Sequence, residues 1–282
     1  MALQRRKLRR QNPLTIGGAK LQELRKAAGL SLLDLAEKLD SELGKHIDAA
    51  HINKIETGSI KKPKAETLEA ILVGLGASYR DRRIVLEAFG YQVPMTLPTD
   101  QEISEVVSQS EDELRDATYP VCLLDFGQRL WAWNRYAPRL IGLHPDNPAT
   151  RHFLGVSTVD LIFNPAFETR LLVANPEEYF PGQIHNIKVG IEPLREQPGY
   201  RELLAHWSSF PGFTELWNGV SADMFRSVVP IKVNVPDRGM LQFRTYNAIF
   251  EPDPRFELLH FTPYGAQTLR VCAEWAESEG MV

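Results

Sequence analysis

The hydrophobic positions of the first ninety residues recur every three or four residues, a spacing typical of α-helices. Glycines such as Gly29 and Gly76 divide this pattern where a helix would end. The predicted helices cover residues 16–28, 32–39, 49–56, 63–75 and 79–89. Five short helices, each with one apolar face, predict a compact all-α domain.

Beyond residue 100 the pattern changes to a mixture of helices and strands. Residues 101–117 predict a polar helix, and residues 266–279 predict a closing helix. Runs rich in Val, Ile, Phe and Tyr predict strands over residues 121–125, 129–134, 226–235, 240–250 and 256–262. Mostly helical segments separate the second strand from the third, and residues 236–239 predict a hairpin turn. We therefore expect an α+β domain with a five-stranded antiparallel sheet.

The segment between these two regions predicts a linker. Residues 92–100 contain Pro94 and Pro98 among small and polar residues, which cannot continue a helix. We expect one domain over residues 1–91 and a second over residues 101–282, since the length suffices for two hydrophobic cores. Residues 1–90 hold 17 Lys and Arg against 11 Asp and Glu, and the remainder holds 15 against 25. Only the first domain is therefore expected to meet a polyanion.

Several classes of protein are disfavoured by what the sequence lacks. Its two cysteines, Cys122 and Cys272, have no CxxC spacing, which argues against a disulfide framework or a zinc ribbon. No apolar run is long enough for a membrane span, so we expect a cytoplasmic protein. The sequence contains no Walker, G-x-S-x-G or H-E-x-x-H motif of known enzyme classes. Ser59 and Lys62 fit the S-x-x-K motif of some serine enzymes, but the companion motifs of that class are missing. We do not expect an enzyme.

Residues 49–56 have the pattern of a recognition helix in a helix-turn-helix. Ile52 and Ile55 lie three residues apart and are expected to face the core. The outward positions are small or polar, namely Ala49, Ala50, His51, Asn53 and Lys54. An amide can pair with an adenine edge, a lysine or histidine can reach guanine or phosphate, and alanine permits approach to a thymine methyl. We predict that these five residues read DNA.

Two cationic segments accompany this helix. Lys61, Lys62 and Lys64 follow it, where a positive charge would bind phosphate and fix the register on the duplex. Arg5 and Arg6 belong to a basic N-terminal segment that can lie along the phosphates or in the minor groove. A solvated lysine turn and a merely solubilising tail are the alternatives.

These residues also carry a resemblance to a known family. Residues 32–39, residues 52–58, Lys62-Pro63 and Thr67-Leu68 resemble the XRE family of lambda-repressor-like helix-turn-helix domains, over residues 14–76. The resemblance implies a transcription regulator that binds double-stranded DNA, with Glu56 tying the recognition helix to its neighbours. Leu32 departs from the family's frequent polar residue, and the connection over residues 40–47 is longer than usual. Homodimerisation is expected because such readers commonly use two-fold operators.

The second domain carries a resemblance of its own. Residues 121–142 resemble the opening of a PAS domain. Residues 161–165, 189–195 and 213–217 resemble the ligand-binding domain of MmyB-like transcription regulators. A PAS-like sensor for a small molecule is implied. The tryptophan that the family places after the Phe-Asn-Pro segment is missing, so the same ligand is not assumed.

The candidate ligand-binding residues follow from the abundance of aromatic and aliphatic side chains in this domain. A sheet covered by aromatic-bearing helices can leave an apolar pocket with a few polar groups. The candidate ligand-binding residues are Leu124, Trp133, Phe163, Phe167, Arg195, Trp207, Phe213, Trp217, Phe243 and Tyr246. Aromatic residues more often pack in a core, whereas Arg195, Arg244 or His260 could anchor a carboxylate. We expect an elongated guest such as a fatty acid, and no other cofactor.

A second function remains open from the sequence. The acidic C-terminal domain could instead bind another protein, as in a partner-gated repressor or an antitoxin-like adaptor. That function predicts a solid core with an exposed apolar patch, whereas a sensor predicts a fillable cavity.

Overall fold

The computed structural model describes residues 16–93, 95–196, 198–221 and 228–278. The chain divides into two compact units, Met1–Pro94 and Met95–Val282, called here the N-terminal unit and the C-terminal unit. Each unit has a hydrophobic core of its own. Among the described residues, no helix combines the length and the apolar character needed to cross a membrane.

The N-terminal unit contains the five predicted helices. They are α1 (Ile16–Ala27), α2 (Leu32–Leu43), α3 (Ala49–Glu56), α4 (Ala65–Gly74) and α5 (Tyr79–Ala88). Ser31 and Asp34 form a reciprocal capping box that starts α2. The predicted end of α2 near Leu39 is wrong, since the helix continues to Leu43. Leu43 packs against the core, and Gly44 ends the helix with a φ of 60°.

The C-terminal unit is built on one antiparallel sheet. Its strands are β1 (Val121–Asp125), β2 (Leu130–Trp133), β3 (Val229–Val235), β4 (Gly239–Ile249) and β5 (Phe256–Pro263), in the order β2-β1-β5-β4-β3. All neighbouring pairs are antiparallel, which confirms the predicted five-stranded sheet. The predicted start of β3 at residue 226 lies outside the described residues. The hairpin turn is confirmed, with Asp237 and Gly239 at positive φ.

Helices cover both faces of this sheet. They are α6 (Asp100–Gln109), α7 (Glu111–Asp116), α8 (Thr158–Phe163), α9 (Pro176–Ile191), α10 (Pro198–Ser208), α11 (Phe213–Gly219) and α12 (Ala266–Ser278). Short 3-10 helices cover Ala137–Ile141, Pro148–Phe153, Glu168–Leu172 and Glu192–Leu194. The single helix predicted over residues 101–117 is wrong, because buried Ser110 separates α6 from α7 and its hydroxyl donates to the Val107 carbonyl.

The two faces of the sheet have different partners. Residues of α6 and α7 pack against Leu123, Phe256 and Leu258 on one face. On the other face, Tyr179 and Phe180 of α9 pack against β3 and β4. Because side chains alternate along a strand, Glu257, Leu259 and Phe261 of β5 share that second face. This face holds the cleft described below.

Candidate DNA interface and ligand cleft

α3 has one buried side and one exposed side, as its sequence predicts. Ile52 and Ile55 lie in the core of the N-terminal unit, at most 1% exposed. The predicted reading residues lie outside that core: Ala50, Asn53 and Lys54 are exposed, and Ala49 and His51 are half-buried. Within the described part of the chain, the Asn53 amide has no hydrogen-bond partner. Its donor and acceptor are therefore available to a base edge.

A buried ion pair fixes α3 against α1. The Arg25 guanidinium donates from Nε to Glu56 Oε1 at 2.7 Å and from Nη2 to Oε2 at 2.8 Å, while Nη1 donates to the Leu30 carbonyl at 2.9 Å. The hydrogen bond with Glu56 raises the pKa of Arg25 against the opposing effect of burial. The tying role of Glu56 implied by the resemblance is confirmed, so α3 is rigidly oriented.

Both ends of α3 are also capped. The Asp48 carboxylate accepts from the His51 backbone N–H at 2.6 Å, which satisfies one of the free amides at the helix start. At the other end, the Ile60 N–H donates to the Lys54 carbonyl at 3.0 Å, and Gly58 has a φ of 69°. The chain therefore turns sharply out of α3 into the lysine segment.

The lysines behind α3 are exposed and largely unpaired. Among the described residues, no carboxylate lies within ion-pair distance of Lys54, Lys61, Lys62 or Lys64. The Lys62 ammonium lies 5.9 Å from the ring centroid of Tyr91, and the Tyr91 hydroxyl donates to the Pro63 carbonyl at 2.6 Å. The segment is thus ordered while its charges stay open to solvent. Arg5 and Arg6 lie outside the described residues.

An apolar cleft of about 150 Å³ opens on the second face of the sheet. Its walls come from β3, β5, α8 and the 3-10 helix Glu168–Leu172, and include Ile162, Leu172, Ile231, Val233, Leu259 and Phe261. Hydroxyls supply its polar side chains. Thr158 donates to Gln128 Oε1 at 3.2 Å, and Thr169 donates to the Leu161 carbonyl. Tyr179 also lines this cleft.

Tyr179 is the one of these three hydroxyl residues whose side chain stays unpaired within the described part of the chain. The residue is only 6% exposed. Burial raises the pKa of its phenol, and the nearby Cys122 thiol acts in the same direction. The group therefore stays a neutral donor. Sequence reasoning missed Tyr179, since no local pattern shows which buried phenol lacks a partner.

None of the ten predicted ligand-binding residues lines this cleft. Leu124, Phe163, Trp207, Phe213 and Phe243 are buried in core clusters. Trp133, Phe167, Trp217 and Tyr246 are half-buried, with Trp217 stacked on Phe213 and Tyr246 stacked on His260. Arg195 is exposed beside Glu192, and Arg244 lies over the ring of Tyr264. Ligand binding by the ten stays a prediction.

A second cleft, of about 220 Å³, differs in its polarity. It is lined by Leu97, Phe126, Arg129, Tyr200, Glu202 and Leu203, among others. The Arg129 guanidinium is held by Asp125 at 2.8 Å and lies 5.2 Å from the centroid of the Trp131 ring. Because its cation is already engaged within the protein, this cleft makes a weaker candidate for a ligand.

A partly buried polar network lies beside the apolar cleft. Glu257 Oε1 accepts from Gln128 Nε2 at 2.8 Å and from Asn247 Nδ2 at 2.5 Å. Burial raises the pKa of Glu257 to about 7, although both amides act in the opposite direction. Gln128 is held at a φ of 61°, unusual for a residue other than glycine. Across the described residues, no cluster of three or more His, Cys, Asp and Glu side chains could hold a metal ion.

Comparison with known proteins supports the class of the N-terminal unit. Residues 18–84 match the family model of a helix-turn-helix domain, a match that includes α2, α3 and α4. This supports a DNA-binding regulator. No curated protein matches the chain.

Among solved structures, the chain is similar to one titled "Structure of an RNA-binding Light-Oxygen-Voltage Receptor". The two chains are 14% identical, with 93% of this chain and 67% of that chain covered and a TM-score of 0.24. Similarity this low carries no conclusion about the C-terminal unit.

Proposed function

We propose that this protein is a sequence-specific transcription regulator. In this proposal α3 enters the major groove of DNA, and a small molecule in the C-terminal unit alters DNA binding. The observation that carries it is the exposed polar side of α3, fixed by the buried pair of Arg25 and Glu56. A rigid helix with unpaired polar groups is what direct reading of base edges requires.

Two groups of residues divide the work on DNA. Asn53, with Ala49, Ala50, His51 and Lys54, would contact base edges and set the preferred sequence. Lys61, Lys62 and Lys64 would contact phosphates, which strengthens binding to every sequence alike. A second copy of the chain would supply the second half-site of a two-fold operator.

The C-terminal unit would supply the regulation. Its apolar cleft offers a small guest burial from water, and hydrophobic side chains form most of the walls. A guest that binds the DNA-competent and DNA-incompetent states with different affinity shifts the balance between them. The amphipathic, fatty-acid-like guest expected from the sequence is one candidate for this small molecule.

The DNA proposal is tested by selection from a pool of random duplexes, followed by sequencing of the bound fraction. We expect the full-length protein to enrich a defined motif and the Asn53→Ala, Lys54→Ala double variant to lose that enrichment. A matched control is Gln22→Ala, Lys26→Ala, which removes an amide and an ammonium from α1. Undiminished, equally selective enrichment by the α3 variant would show that α3 is not the reading helix.

A further inference from the structure

The apolar cleft is small. Its volume of about 150 Å³ matches that of an engineered apolar cavity that takes up benzene, and pockets for drug-sized ligands begin near 300 Å³. The part of a guest that the cleft can bury therefore has roughly six to nine non-hydrogen atoms. A sixteen-carbon fatty acid would leave most of its chain outside.

The cleft also carries no charge on its described lining. Arg195, Arg244 and His260, the sequence-based candidates for anchoring a carboxylate, lie elsewhere in the unit. Outside the lining, Glu257 lies two positions from Leu259 on the same face of β5, and Gln128 links it to Thr158 in the cleft. The Arg170 guanidinium, on the 3-10 helix of the cleft wall, lies over the rings of Phe163 and Phe180 at 5.4 Å and 5.3 Å. A carboxylate enclosed by the described lining would thus be desolvated with no cation in that lining to pair with it.

Among the described side chains that line the cleft, one hydroxyl donor is left for a guest. Thr158 and Thr169 already donate within the protein. Tyr179 lines the cleft, and its hydroxyl has no hydrogen-bond partner among the described residues, so the phenol is available to donate to a guest. A molecule in the cleft can supply that acceptor.

We infer that the cleft binds a small uncharged molecule, about the size of a substituted benzene, that accepts one hydrogen bond from Tyr179. This inference rests on the proposed sensor function of the C-terminal unit and replaces the fatty-acid-like guest with a neutral one. Shape and burial select the apolar body, and the phenol selects guests with a carbonyl or ether oxygen.

Three probes of nine non-hydrogen atoms separate these features. Acetophenone is neutral with an acceptor, isopropylbenzene is neutral without one, and benzoate is charged. Binding to the full-length protein is followed by methyl NMR at Ile162 and Ile231, which both line the cleft. We expect acetophenone to bind best, isopropylbenzene more weakly, and benzoate at pH 8 not to bind.

Substitution then assigns the hydrogen bond. Tyr179→Phe should weaken acetophenone binding about three- to tenfold, the range for one neutral hydrogen bond, and leave isopropylbenzene binding unchanged. Tyr200→Phe removes a phenol hydroxyl from the second cleft and should change neither. Leu172→Trp, which fills the apolar cleft, should abolish both.

The outcomes that overturn the inference are distinct from those that overturn the sensor. Equal acetophenone binding by Tyr179→Phe, or tighter binding of benzoate, would refute the neutral, Tyr179-bonded guest. If hexadecanoate alone shifts the two methyl groups, the sensor stands and the ligand class is wrong. If no probe and no hexadecanoate shifts them, both the sensor function of this cleft and the inference are wrong.

Discussion

Arg25 and Glu56, 31 residues apart in sequence, form a two-pronged ion pair that joins α1 to the last residue of α3. Glu56 is 1% exposed, so the carboxylate is withdrawn from water. The guanidinium matches both of its oxygens and also bonds the Leu30 carbonyl. This buried charge pair thus adds to the core packing of Ile52 and Ile55 in setting the orientation of the candidate reading helix.

Breaking this pair on one side should destabilise the N-terminal unit. Glu56→Leu leaves a buried guanidinium without its partner, a change that costs about 3–5 kcal/mol. The double variant Arg25→Leu, Glu56→Leu should lose less, because no buried charge remains. All five tryptophans of the sequence lie in the C-terminal unit, so tryptophan fluorescence does not report on unfolding of the N-terminal unit. Hydrogen exchange of the α3 backbone amides measures the loss of stability instead.

An exposed pair in the same unit provides the control. Arg83 and Glu87 lie 2.7 Å apart on α5, with their side chains 42% and 51% exposed. Arg83→Ala should cost less than about 1 kcal/mol, as is usual for a surface ion pair. A cost for Glu56→Leu no larger than that of Arg83→Ala would contradict the orienting role.

The lysine segment behind α3 should control the salt dependence of DNA binding. Each of Lys61→Ala and Lys64→Ala should reduce the slope of log K against log salt by about 0.9, the value for one phosphate contact. The selected motif should not change. Fluorescence anisotropy at several KCl concentrations measures the slope, with Lys20→Ala as control since Lys20 pairs with Glu23 and Asp81. An unaltered slope for both variants would place the lysines off the DNA.

Glu257 should make the C-terminal unit less stable as the pH rises. Burial raises its pKa to about 7, so the folded state holds a proton that the unfolded state releases near pH 4.5. The resulting stability is present below pH 4.5 and is lost between about pH 4.5 and 7. Glu257→Gln keeps a neutral acceptor for Gln128 and Asn247, and should stabilise the unit at pH 8 by up to about 3 kcal/mol.

Urea unfolding followed by tryptophan fluorescence at pH 5 and pH 8 measures this effect, since every tryptophan belongs to the C-terminal unit. The gain from Glu257→Gln should be larger at pH 8. Glu274→Gln, at an exposed ion pair with Arg238, is the control. A gain equal at both pH values would mean that Glu257 titrates normally.

Arg255 should be required for α6 to stay packed against the rest of the C-terminal unit. The side chain is 1% exposed and lies 2.7 Å from Asp253 and 2.8 Å from Glu102 of α6. Burial alone would raise the pKa of Glu102, but hydrogen bonds from Arg255 and Thr99 outweigh it and leave the pKa lowered. The stability from Glu102 is thus present above its ordinary pKa and is lost on acidification.

Arg255→Met should destabilise the C-terminal unit by about 3–5 kcal/mol at pH 7, because two carboxylates lose a buried partner. The same variant should also remove the loss of folding stability that protonation of Glu102 causes at low pH. Urea unfolding from pH 3 to pH 7 measures both effects. Arg238→Met, at the exposed pair with Glu274, should cost under about 1 kcal/mol. Equal costs for the two variants would show that Arg255 holds nothing in place.

Local signals predicted the elements that begin and end with strong sequence cues. The bounds of α3 and β1 agree with the prediction, because Asp48 and Gly58 flank α3 and a short apolar run defines β1. The break between α6 and α7 was missed because nothing in the residues around Ser110 prevents a helix. Burial against the sheet decides it, and that is a tertiary effect.

The DNA side could be anticipated more fully than the ligand side. A helix face follows from the spacing of Ile52 and Ile55, so the exposure of Asn53 and Lys54 was predictable. A cleft forms where neighbouring side chains do not fill the space between secondary-structure elements. The hydrophobic pattern predicts which side chains are buried, but it does not predict where their packing leaves a cavity. The abundance of aromatic residues therefore led to Trp207 and Phe213 as candidate ligand-binding residues, although both are packed in the core.

The uncharged lining of the apolar cleft bears on how a signal would reach the protein. A neutral molecule of this size passes through the hydrocarbon of a bilayer at little cost, whereas a carboxylate does not. Its concentration would equalise across a cell envelope without a dedicated transporter. A regulator with such a cleft would report on the surrounding medium as directly as on metabolism within the cell.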